Sequence, residues 1–282
     1  MKTIFLHCGP WEAVIAPEFG MNAISLTCRG RAILRSPETP DALAADSCVY
    51  GTPLLMPPNR TAGGTFSFEG REYHLPINEP AFGNHLHGRI HCSRFTVTEQ
   101  TEALVSGTYE NQGETFPFPF RLEVTCRLTE EGLAQEFLFT NTGTTPMPLA
   151  FGLHTVFIVE RSIQVPIAQR WITNDCYIPT GVLKDLRGET KTYRDGINPN
   201  GQLVRGFYTS AGTEARIDGF RYRVSPNFNQ WVLWNSDGQG GFCAIEPMCG
   251  AVNSLNSGEG LLRMTPGETV RFATAIYRSP ET

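Results

Sequence analysis

No stretch of this 282-residue sequence is apolar for anything near the roughly 20 residues of a membrane helix. Nor is there a run of like charge or a basic excess. The 23 Lys and Arg are outnumbered by 28 Asp and Glu, for a formal net charge of −5. A phosphate-binding surface needs the opposite sign, so nucleic acid is not an expected partner. None of the eight cysteines is spaced Cys-x-x-Cys, and they are spread evenly along the chain. Nothing in that spacing supports disulfides, and they read as reduced, mostly buried small hydrophobes. The opening "MKTIFLHCGPWEAVIAPEFG" lacks the apolar core and small-residue cleavage site of a secretion signal, so a soluble cytoplasmic protein is expected.

Helical periodicity is also scarce. The only helical stretch is short, "SPETPDALAAD". What is abundant is punctuation: 28 glycines and 20 prolines separate short alternating or β-rich runs. In "FRLEVTCRL", Phe120, Leu122, Val124, Cys126 and Leu128 alternate with polar residues, the period of a half-buried strand. The following "GLAQEFLFTNTG" reads as its antiparallel partner, with a turn at Glu131-Gly132. Many short strands with frequent turns predict an all-β sandwich or barrel. "TYRDGINPNGQL" reads as a long surface loop. No propeller-length repeat and no low-complexity linker divides the chain, so a single domain over residues 1–282 is expected.

Four segments carry candidate chemistry. "NHLHGRIH" holds three of the six histidines. On a continuous strand His85, His87 and His91 would project from one face, since side chains alternate. They read as a metal site, as a reactive histidine beside the permissive Gly83 and Gly88, or as structural residues. "LAFGLHTVFIV" places His154 alone in an apolar run. It is either a core histidine bonded to backbone or one whose pKa is moved by burial in a cleft. "GFCAIEPMCG" ends an apolar strand on Glu246 before Pro247. A carboxylate there is costly unless paired or functional, and a rigid strand end suits a general base. "MPPNRTAGGTF" presents Arg60, after Asn59, from a proline-stiffened loop. It is a solvated arginine or a donor fork for ligand oxygens.

Taken in order, these segments resemble the aldose 1-epimerase (galactose mutarotase-like) family. The resemblance runs from "GMNAISLTCRGRAILRSP" through "PLLMPPNRTAGGTFSFEGREYHLPIN", "HLHG", "FGLHTVF", "IPTG" and "AIEP" to "LRMTPGETVRFATAIY". It implies a large antiparallel β-sandwich with very little helix. The implied activity is interconversion of the α and β anomers of a sugar, an isomerase reaction needing no cofactor. The family's motif histidines fall on His87 and His154, its Glu-Pro base on Glu246, and its sugar-binding arginine on Arg60. Glu246 is then the base and His154 the acid, with His87 at the ring oxygen. Asn59, Arg60, His85 and Trp234 are expected to bind sugar, while Trp231 and Phe151 are further stacking candidates.

One departure stands out. Where the family usually carries a sugar-binding Asp, this chain has Arg205 and Gly206 in "LVRGFYTS". Asp185 and Asp195 lie nearby in sequence. The exchange leaves two alternatives open: a non-catalytic carbohydrate-binding or sensing protein, or a mutarotase acting on an anionic sugar, phosphate or uronate. The expected partner is a small-molecule sugar, without nucleic acid or membrane, for a monomer or homodimer.

Overall fold

The alternation in Phe120–Leu128 is realised as written, with all five apolar residues buried. In the computed structural model, which describes residues 1–279, this strand pairs antiparallel with Gly132–Asn141, Leu128 opposite Leu133. The strand Thr269–Arg278 adds to the far side of Gly132–Asn141, Phe272 opposite Phe137. These are the centre of an eight-stranded sheet that runs from Thr96–Gln100 at one edge to Ile163–Gln164 at the other.

A second sheet carries the cleft described below. Its strands are β1 (Leu54–Leu55), β2 (Phe151–Leu153), β3 (Ile167–Thr173), β4 (Pro179–Asp185), β5 (Arg205–Ser210), β6 (Gln230–Trp234) and β7 (Phe242–Cys249). They lie in the order β4-β3-β5-β6-β7-β2-β1. The short strand Thr155–Ile158 also pairs with β7. Aromatic rings knit the two sheets together. Phe151 of the second sheet packs 4.8 Å from Phe139 and 5.1 Å from Phe272 of the first, and Phe228 lies 5.1 Å from Phe272. Each fully buried phenylalanine contributes about 1.5–3 kcal/mol, so this contact fixes how the sheets face each other. A four-stranded sheet from Ile4–Cys8 to Arg31–Ala32 packs on the first, and the Trp11 indole donates to Glu130 O at 3.0 Å.

Pro40–Ala45 is the short helix expected near the N-terminal third. Thr39 caps it by accepting from Ala42 N, and Pro40 occupies its first turn. "TYRDGINPNGQL" departs from its loop reading, because Thr192 to Asp195 complete a helix, Glu189–Asp195. The reason is tertiary: Tyr193 is buried in the core and its carbonyl accepts from Val165 N at 2.9 Å. All eight cysteines are free. Among the described residues no helix is long and apolar enough to cross a membrane.

The histidine segment also departs from the continuous strand considered for it. Only Asn84–Leu86 is strand, His87 sits in left-handed backbone at φ 64°, and His91 lies in the 3-10 turn Ile90–Cys92. The three rings therefore do not share a face. The kink is imposed by packing, because Gly88 presses against the Met56–Pro57 segment. A Cβ there would stand 1.9 Å from Met56 O.

Candidate active site

The site begins with strand pairing. In β6 and β7, Val232 lies opposite Glu246, and Phe207 of β5 lies opposite Val232. Cross-strand partners share a face, so Phe207, Val232 and Glu246 point the same way. Alternation adds Arg205 and Trp234 to that face. The other face, with Trp231 and Leu233, belongs to the core. β7 is buried along its whole length, so Glu246 is held inside the protein with loops above it.

His154 arrives by the same geometry. Gly152 pairs with Met248 and Thr155 with Ile245, which sets His154 in register with Glu246. Its backbone N–H donates to Pro53 O at 2.9 Å. Gly152 is what allows this approach, since a Cβ there would meet Met248 Cγ at 2.9 Å and Pro58 Cβ at 3.1 Å. His154 Nε2 then lies 3.4 Å from Glu246 Oε1, with both side chains almost fully buried. The His87 ring stands edge-on to His154 at 5.4 Å, and Trp234 at 5.7 Å.

These groups line a cleft of about 850 Å³, together with Asn59, Arg60, Trp171 and Tyr177. Burial pushes the Glu246 carboxyl up to about 8, opposed by the Arg60 charge. Burial likewise lowers His154 to about 4 and holds His87 well below its ordinary value, the neighbouring His154 adding to the latter. Glu246 Oε2, His154 Nδ1 and His87 Nδ1 are buried without a protein hydrogen-bond partner. Orphaned polar atoms are expensive, and here they converge on one cleft. The arrangement offers a carboxyl and an imidazole in contact, poised to exchange a proton with a bound molecule.

Arg60 is not a free cation. Its Nε and Nη2 donate to Glu79 Oε2 and Oε1 at 2.8 and 2.6 Å, a bidentate pair with both side chains largely buried. Its guanidinium stacks on Tyr177 at 4.8 Å, and Nη1 reaches Asn59 Oδ1 at 3.3 Å. Asn84 donates to Glu79 Oε2 and is bonded to Cys176 O as well. Asn59, at φ 54°, accepts the His87 N–H on its carbonyl at 2.8 Å. The loops carrying Arg60 and His87 are thus locked to each other.

Of the residues singled out from sequence, Glu246, His154, His87, Arg60, Asn59 and Trp234 come together in the cleft. His85 does not line it: its Nδ1 bonds Pro76 O at 2.7 Å behind the cleft wall. His91 lines the cleft but has both ring nitrogens engaged, Nδ1 by Ser47 Oγ at 2.7 Å and Nε2 by Gly88 O at 3.2 Å. Among the described residues no group of three ligating side chains could hold a metal. Phe151 and Trp231 are core residues, the latter donating to Ser210 Oγ and Gly212 O. Neither Asp185 nor Asp195 lines the cleft, whereas Arg205 and Gly206 do. Sequence reasoning missed Glu79, Trp171 and Tyr177. The first stands in "PINEPAFGN" as its one charged residue, between Asn78 and Pro80, with no motif to mark it.

The aldose 1-epimerase family description matches residues 12–277. The chain is 25% identical to the uncharacterized protein YihR of Escherichia coli (strain K12), over 98% of this chain and 93% of that protein. With the uncharacterized protein YphB of the same strain it shares 24% over 84% of this chain and 85% of the relative. A galactose mutarotase-like protein from Clostridium acetobutylicum superposes with a TM-score of 0.91 at 26% identity, covering 98% and 94% of the two chains. A galactose 1-epimerase from Lactobacillus acidophilus NCFM shares the fold at a TM-score of 0.80 and 14% identity, over 98% and 93%.

Proposed function

Since the chain belongs to the aldose 1-epimerase family, we propose that its cleft interconverts the α and β anomers of an aldose. The observation that carries this reading is the His154–Glu246 contact, 3.4 Å long and buried, with an orphaned polar atom on each side. Opening a cyclic sugar needs one group to take the O1 proton and another to give a proton to the ring oxygen O5. The C1–O5 bond then breaks and C1 becomes an aldehyde. After rotation about C1–C2, the ring closes on the other face and both protons return.

Glu246 takes the O1 proton, and His154 supplies the proton to O5, with His87 oriented toward the same oxygen. Burial favours the pair in its neutral form, a protonated carboxyl beside a neutral imidazole. Moving that proton from Glu246 to His154 leaves the net charge unchanged. A sugar hydroxyl donating to Glu246 stabilises the carboxylate and so draws the proton across. Either form holds one donor and one acceptor, which is what a reversible reaction requires. The pair supplies both proton-transfer groups, so the proposed reaction needs no cofactor. Arg60, held by Glu79, would donate to sugar oxygens, and Trp234 would pack on a sugar face.

The test is to dissolve pure α-anomers of a panel of aldoses and follow equilibration by polarimetry and NMR. The protein should accelerate it, and Glu246→Gln should abolish the acceleration. Saturable sugar binding without any anomer exchange would replace the enzyme reading with that of a carbohydrate-binding protein.

A further inference from the structure

One wall of the cleft has an unusual polarity. On β5 the cleft-facing positions are Arg205, Phe207 and Thr209, and across from them on β6 stand Trp234, Val232 and Gln230. Thr209 is engaged by Gln169 N, and Gln230 by the Trp171 indole. The wall therefore offers apolar surface and one charge with no acidic partner among the described residues. That charge is a guanidinium, which has five donors and no acceptor.

Arg205 is exposed, and its Nη2 donates to Ser236 O at 3.0 Å, which anchors the head group while leaving other donors free. Among the described residues it has no carboxylate partner. Arg170, on the adjoining β3, also reaches the cleft, but its cross-strand partner is Tyr208, which faces the core opposite Trp231. The guanidinium that the β5–β6 wall presents is therefore that of Arg205. The acidic groups at the cleft are Glu246, which burial holds toward its neutral form, and Asp46. The Asp46 charge lies beside His91 and Cys48 and is paired with no arginine among the described residues, while Glu79 is paired with Arg60. The cleft-facing positions of β5 and β6 carry no carboxylate to accept the hydroxyls of a neutral sugar, whereas an acidic one would find a donor fork there.

We propose that this end of the cleft receives an anionic substituent, a carboxylate or phosphate carried on an aldose, with Arg205 as its principal ligand. The sugar part of the proposal rests on the mutarotase reading, but the preference for an anion does not. A charge-assisted hydrogen bond contributes about 1.5–3 kcal/mol, so the acidic sugar should bind about 10- to 100-fold more tightly than its neutral parent.

The experiment is an NMR titration of the full chain with matched sets: glucose, glucuronate and glucose 6-phosphate, then the galactose counterparts. The uronate and phosphate arms distinguish which anion the site takes. An acidic advantage that weakens with salt, and that Arg205→Gln removes while Arg205→Lys partly retains it, supports the proposal. Neutral sugars binding as tightly as acidic ones would overturn it. So would an acidic advantage that survives Arg205→Gln. Anomer exchange is read in the same samples. Acid preference without exchange defeats only the mutarotase reading, and exchange without acid preference defeats only the anion site. Absence of binding by every sugar overturns both.

Discussion

His154 and Glu246 stand in register on adjoining antiparallel segments, and the imidazole Nε2 lies 3.4 Å from the carboxyl Oε1. The backbone ladder on either side holds that distance, so the contact is a property of the sheet rather than of two flexible side chains. Replacing either group therefore removes a proton-transfer partner without relocating the other. Glu246→Gln and His154→Gln should each lower kcat by about 10²–10⁴-fold, the usual worth of general acid–base help. Single-turnover NMR on an α-anomer measures this directly. A full-rate Glu246→Gln variant would sink the assignment.

The same burial predicts a pH signature in stability. Glu246 is raised from an ordinary 4.5 to about 8. Between those values the native protein binds a proton that the unfolded chain has released, so stability falls as pH rises through the window. His154, lowered from 6.5 to about 4, acts in the other direction. There the unfolded chain holds the extra proton, and stability is lost as pH falls from 6.5 toward 4. Glu246→Gln removes only the first effect. Urea midpoints for parent and variant at pH 5 and pH 8 should show the variant gaining on the parent at the higher pH. A difference that does not change with pH would contradict the raised carboxyl.

Glu79→Gln should unfasten Arg60. The pair is largely but not fully buried, with side chains 16% and 13% exposed. The stability cost should therefore fall below the 3–5 kcal/mol of a fully buried pair, at about 1–3 kcal/mol. In kinetics, KM should rise more than kcat falls, because the freed guanidinium still reaches sugar oxygens but from many positions. Thermal denaturation and steady-state kinetics with one sugar separate the two effects. A lowered kcat with KM unchanged would argue that Arg60 acts on the transition state instead.

Gly88→Ala should be severely destabilising, by more than about 2 kcal/mol. The residue combines φ 66° with a Cβ position 1.9 Å from Met56 O. Because His87 sits on the same turn, sugar binding should weaken with the fold. A variant with parental melting temperature would show that the loop at residues 56–60 yields more easily than its packing suggests.

Much of this molecule is legible in its amino-acid sequence. The alternation of Phe120 to Leu128 and its partner strand is a local signal, since burial with period two is written in consecutive residues. Arg60, His87, His154 and Glu246 are legible as rare chemistry in constrained surroundings, each polar group beside Pro, Gly or an apolar run. The helix ending at Asp195 is not, because Tyr193 gains its burial from distant strands. His85 and His91 look equivalent to His87 in the sequence because a string of letters does not record a backbone turn at φ 64°.

By itself the sequence determined the strand-rich class, the inventory of proton-transfer groups and the presence of Arg205. Those follow from side-chain chemistry and short-range periodicity, which act within a few residues. Only the tertiary structure decided that His154 meets Glu246, that Glu79 neutralises Arg60, and that His87 alone of its cluster faces the pair with a ring nitrogen unengaged by protein. Each of these depends on pairing between segments far apart in the chain, and such pairing is set by the register of whole sheets packed against a common core.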